Sequence, residues 1–170
     1  EQALAAADGE LTFLGRTMTL DDPTNPDWDD ERLTNLPRLW RLQLYAFRPL
    51  EWAIRGIPPE SRDAAAATET FDAWLTRWMA ETRIGESGYL RGRFTPYAVS
   101  LRLVTWARYL AWRADDARAE WRPNDSFEAA LLRELHTNAA FLSDHVEEGV
   151  GGNHLIENGL ALVAAGRLFG

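Results

Sequence analysis

The most chemically suggestive segment of the chain is Gly151-Gly152-Asn153-His154-Leu155-Ile156-Glu157-Asn158, a glycine turn followed by four polar groups at the start of an otherwise apolar run. On a helix, Asn153 and Glu157 are four residues apart and His154 and Glu157 three apart, so all three can face one way, with Asn158 one turn from His154. The first turn of a helix also presents free N–H groups and a partial positive charge, which suits an anionic ligand. An amide, an imidazole and a carboxylate on one face could hold a carboxylate ligand and move a proton beside it. A plainer reading fits the same residues: Asn153 as a helix N-cap after a glycine loop, with His154 and Glu157 in a local hydrogen bond.

Other polar residues carry less. His136 sits inside a predicted helix and His145 at its end beside Glu147 and Glu148, where a histidine commonly serves as a dipole partner. Three histidines without metal-ligand spacing make no metal site, and nothing in the sequence calls for a cofactor. Arg102 reads equally as a surface charge or as a forked donor to a carboxylate. The numerous Trp and Tyr residues at helical spacing are first of all core, although Tyr97 and others could line a sugar site.

These residues need elements to hold them. A chain of 170 residues, 46% hydrophobic and with eight Trp, fits one domain and has enough apolar surface to bury a core. From Leu11 to Asp30 the turn signals Asp21-Asp22-Pro23 and Asn25-Pro26-Asp27 predict an irregular arm, with room for short strands at 11–13 and 17–20; the arm extends to residue 35. Apolar residues on more than one face from Leu36 to Ile54 predict a first helix packed on two sides, ended by Gly56 and Pro58-Pro59. A second helix spans Arg62 to Thr82, followed by a loop with Gly85, Gly88 and Gly92. Thr95-Pro96 starts a third, with Thr as N-cap and Pro at the first position, running toward Arg113. After a polar stretch from 114 to 125, Asp125 and Glu128 form a capping box for a fourth helix, Ser126 to Val146. A last helix starts at Asn153. The expected fold is all-α: antiparallel helical hairpins over residues 36–170 behind a short N-terminal arm, 1–35.

Charge narrows the partners. The chain carries −8, with 26 acidic residues against 18 basic ones, and all the basic ones are Arg. A Lys-free acidic surface points to a salt-adapted, halophilic protein. Net negative charge argues against a nucleic-acid partner, and no apolar run is long enough for a membrane span. A polyanionic substrate would need a local arginine-lined cleft. With no cysteine there is no redox signature, and a start at Glu1 without Met leaves a trimmed export signal open.

Four blocks, in order across nearly the whole chain, resemble the N-terminal domain of heparinase II/III-like polysaccharide lyases: Phe13-Leu14-Gly15, Leu39-Trp40-Arg41, Phe94-Thr95-Pro96-Tyr97-Ala98-Val99-Ser100-Leu101-Arg102, and Gly152-Asn153-His154-Leu155-Ile156-Glu157-Asn158. The last two are the specific ones. The resemblance implies an incomplete α/α toroid followed by a β-sandwich domain that this sequence does not contain, and an enzyme that cleaves uronic-acid polysaccharides, heparan sulfate-like or alginate-like, by β-elimination. It implies that Asn153 neutralises the uronate carboxylate and that His154 and Glu157 line the same site as catalytic residues, with Arg102, Tyr97 and Asn158 as substrate contacts. A family tyrosine and a further histidine would lie beyond Gly170, so the fragment is expected to be inactive alone. A secreted or periplasmic location is also implied. Members often read Tyr-Asn-Leu-His-Tyr-Phe where this chain has Leu42-Gln43-Leu44-Tyr45-Ala46-Phe47, which leaves the polymer undetermined. Two other classes remain open: a non-catalytic helical module binding an acidic glycan or protein, and a toroid glycoside hydrolase, which needs a second carboxylate across the cleft from Glu157.

Overall fold

The computed structural model describes residues 1–84, 92–114 and 126–170. Expectations about Gly85, Gly88, the polar stretch 115–125 and the cap at Asp125 lie outside the described residues. The order is α1 (Gln2–Ala7), β1 (Glu10–Phe13), β2 (Arg16–Thr19), a 3-10 turn (Glu31–Asn35), α2 (Arg38–Tyr45), α3 (Arg48–Gly56), α4 (Arg62–Glu81), α5 (Pro96–Ala114), α6 (Ser126–Asp144) and α7 (Gly152–Phe169). The described residues are mostly helical, with one two-stranded sheet, so the class is all-α. None of the helices is long and apolar enough to cross a membrane.

The segment expected to be an irregular arm is ordered. Its strands pair antiparallel with Phe13 opposite Arg16, leaving Leu14 and Gly15 as a two-residue loop. Both loop residues have positive φ, the geometry whose twist matches a hairpin, and Gly15 adopts it without a Cβ penalty. The hairpin buries Phe13 against Trp40 and Trp52 at 4.9 and 5.3 Å, and the Trp40 indole N–H donates to the Arg16 carbonyl at 2.9 Å. Trp28, from the same stretch, packs among Phe47, Trp74 and Trp78. Turn residues between short apolar runs hid a segment whose aromatics belong to the main core.

The first helix is two helices, not one spanning Leu36 to Ile54. Pro49 explains the break: it has no N–H for the Tyr45 carbonyl four residues back, and its ring would clash there. The chain turns at Phe47, a non-glycine residue held at φ 54°, with its ring buried between Trp28, Trp78 and Trp106. The expected second and third helices appear nearly as read. The Ser61 hydroxyl caps α4 by accepting from Ala64 N–H at 3.1 Å, and α5 starts at Pro96. The fourth ends two residues early, at Asp144, and the last begins at Gly152.

Alternate helices pack together. α3 lies on α5 and α5 on α7, while α4 lies on α6; the neighbours α5–α6 and α6–α7 also touch. α7 keeps one apolar stripe exposed, Ile156, Leu160 and Val163, each more than half exposed.

Arg102 is the unusual core residue. It is fully buried on α5, and its guanidinium donates to the carbonyls of Tyr45 (3.2 Å) and Arg93 (2.8 Å) and to Asn138 Oδ1 (2.9 Å). The rings of Trp78, Phe94 and Trp106 surround it at 4.9–5.4 Å. The carbonyl that Pro49 cannot use is therefore satisfied from another helix. Loss of water pulls the Arg102 guanidinium down to about 9, opposed by the charge of Glu134. Because the folded value lies below the unfolded one, the unfolded chain holds more protons between the two, so the Arg102 contribution to stability rises as pH climbs through about 9. Urea unfolding of the wild type and Arg102→Met between pH 8 and 11 reads this directly. The wild type is expected to gain on the variant with rising pH, and a constant difference contradicts a guanidinium whose hold on its proton is weakened by burial.

Candidate functional site

A cleft of about 450 Å³ opens where three segments meet. α2 contributes Arg38, Leu39, Arg41, Leu42, Gln43 and Tyr45; the approach to α5 contributes Gly92, Thr95 and Tyr97; the α6–α7 connection and the start of α7 contribute Glu147, Asn153 and His154.

The start of α7 is set by glycines. Gly151 and Gly152 both have positive φ, and Gly151, not Asn153, occupies the N-cap position, with no side-chain cap bond. The helix-cap reading of Asn153 therefore does not describe this structure. One residue further into the helix, Asn153 is exposed and its amide is free to serve the cleft. His154 is more constrained. Its ring stacks on Tyr97 with centroids 4.2 Å apart and planes 21° from parallel. Its Nδ1 lies 3.1 Å from Glu147 Oε2, within ion-pair reach, although the angle does not make a hydrogen bond and neither atom has another partner. An imidazole stacked on one face and flanked by a carboxylate at Nδ1 keeps Nε2 for taking or giving a proton.

Glu147 is held in place by Asn158. The Asn158 amide oxygen accepts from the Glu147 backbone N–H at 2.8 Å, and its nitrogen donates to the Ser100 hydroxyl at 2.7 Å. Ser100 in turn donates to the Pro96 carbonyl. Tyr45, nearly buried at the cleft floor, has its phenol pushed upward by loss of water, against the lowering effect of Arg93 and Arg41, so it stays a proton donor at neutral pH.

The expected cluster is thus only partly assembled. Asn153, His154 and Tyr97 meet in one cleft. Arg102 does not join them; its side chain is spent in the core, because position 102 falls on the buried face of α5. Glu157 is half-buried and does not line the cleft, since one helical turn carries it past the opening. Asn158 is fully buried and touches the loop, not the opening. Glu147, Arg38 and Arg41 were not anticipated as cleft residues; the block Leu39-Trp40-Arg41 and the departures at Gln43 and Tyr45 were the available signals. His136 and His145 pack against Phe169 and Phe141 away from the cleft. Among the described residues no three His, Cys, Asp or Glu side chains gather as a metal ion would require.

Compared with known proteins, the chain matches no family model, no curated protein and no solved structure.

Asn158→Ala removes one buried and one part-buried hydrogen bond, strands the Glu147 N–H and leaves the Ser100 hydroxyl only its bond to Pro96. The expected cost is about 1–3 kcal/mol, with a melting temperature lower by several degrees. Differential scanning calorimetry checks it, and an unchanged melting temperature removes Asn158 as the anchor of the Glu147 loop.

Proposed function

We propose that the cleft binds the carboxylate of a uronic-acid polysaccharide, and that the chain is the helical N-terminal portion of a heparinase II/III-like lyase that cleaves such polymers by β-elimination. The observation that carries this reading is the placement of Asn153: an exposed amide on the first turn of α7, released from capping by Gly151 and set beside His154 in the cleft. Removing the proton next to a carboxylate leaves negative charge spread onto that carboxylate, and a neutral amide donor at a helix start stabilises it. A base takes the proton, the bond to the C4 oxygen breaks with its electron pair, and an acid protonates the leaving oxygen, giving a double bond conjugated with the carboxylate. In this chain His154, flanked by Glu147, supplies a group able to exchange a proton, and Tyr45 a phenol kept protonated.

The packing of α3 on α5 on α7, with α4 on α6 behind, supports an incomplete α/α toroid, in which alternate helices form an inner and an outer row. The bare stripe on α7 is the kind of face that a further helical hairpin covers. In this reading the full enzyme adds the rest of the toroid and a β-sandwich domain.

Calorimetric titration with short uronate oligosaccharides tests the site. Asn153→Ala is expected to weaken binding about 10- to 100-fold, the loss of one hydrogen bond to a charged group. Unchanged affinity makes Asn153 an ordinary surface residue. Ultraviolet absorbance of the unsaturated product, measured on the chain with its downstream domains, separates a lyase from a module that binds acidic glycans without turnover.

A further inference from the structure

In a chain where acids outnumber bases 26 to 18, Arg32, Arg48, Arg55, Arg77, Arg93 and Arg113 all meet carboxylates. Arg38 and Arg41 are the arginines that line the cleft, and neither forms an ion pair with a carboxylate among the described residues. They lie three apart on α2, which places them on one helix face. Arg41 is half-buried, and its Nε is shut off from water with no acceptor. A buried guanidinium N–H without a partner is costly, and an anionic oxygen brought by a ligand relieves it.

We infer that Arg38 and Arg41 form a second anion subsite beside the Asn153–His154 pair, so that the cleft selects uronate chains carrying another negative group close to the bound carboxylate. This rests on the uronate reading above and narrows it. One anionic group takes the neutral amide of Asn153; a second takes the forked donors of Arg41, with Arg38 at the solvent edge. Among the described residues the one acid lining the cleft is Glu147, at the His154 end, and the α2 side carries the two arginines on a protein of charge −8. Leu39 and Leu42, which line the cleft beside the arginines, offer an apolar surface on which a sugar ring can rest. A sulfate ester on the same or the next sugar and the carboxylate of an adjoining uronate supply the same chemistry.

Three size-matched oligosaccharides distinguish these sources by titration calorimetry: a non-sulfated uronate–N-acetylhexosamine chain, its sulfated counterpart, and a contiguous oligouronate. The wild type is expected to bind at least one of the last two about tenfold or more tightly than the first, and whichever gains identifies the source of the second charge. Arg41→Gln should abolish that preference while leaving affinity for the non-sulfated alternating chain within about twofold. Arg38→Gln, at an exposed position where folding is not at risk, should reduce the preference in part. Equal affinity for all three ligands in the wild type overturns the subsite, as does a uniform loss on all three in both variants. Binding of the non-sulfated alternating chain without any preference for the other two leaves the uronate site standing and removes only the subsite. No binding of any of the three overturns both.

Discussion

The structure turns on the burial of one charge. Among the described residues no carboxylate hydrogen-bonds Arg102; its two Nη groups are held by two backbone carbonyls and one amide inside a box of three aromatic rings. Placing a cation there is costly unless its donors are used, so the surrounding backbone is pinned by the need to satisfy them. The pinned points are the end of α2 at Tyr45, the segment before α5 at Arg93, and Asn138 on α6. Two of these three border the cleft. A surface charge would have left the α2 break and the Gly92–Thr95 turn without a common anchor.

The break at Pro49 and the burial of Arg102 are two halves of one arrangement. Proline removes the donor that would have continued the helix, and the stranded Tyr45 carbonyl is taken up by arginine. The chain then accepts a left-handed Phe47, a cost of about 1–2 kcal/mol offset by burying its ring among three tryptophans. The far side of the cleft relies on a second buried polar contact, Asn158 to Glu147, which sets the carboxylate beside His154. The cleft thus carries an exposed amide, an exposed Arg38 and a half-buried Arg41 on supports fixed by buried polar contacts.

Helical content and the boundaries of α4 and α5 were legible because their signals are local: Ser61 as a cap, Thr95-Pro96 as a start, apolar residues at helical steps. The break in the first helix was also written locally, in Pro49, but the dense apolar run around it masked the signal. The roles of Arg102 and Asn158 were not legible. Trp106 lies four residues on along the same helix, but whether an arginine at position 102 faces water or the core depends on Trp78 arriving from α4 and on the Tyr45 carbonyl and Asn138 from two further helices, which no spacing rule encodes. Glu157 shows the limit of face arithmetic: it shares a helical face with Asn153, yet the cleft ends within that turn. The hairpin was half visible, since Leu14-Gly15 gives the turn while the strands are only four residues each.

The proposed site seats a uronate carboxylate at the first turn of α7, against Asn153 and His154. Side-chain NMR during titration with a short oligouronate observes that contact directly. Saturable shifts are expected in the Asn153 amide and the His154 imidazole, with Tyr97 following through its stacked ring, while the buried Asn158 amide stays still. Saturable shifts on another surface with Asn153 and His154 unmoved would contradict it.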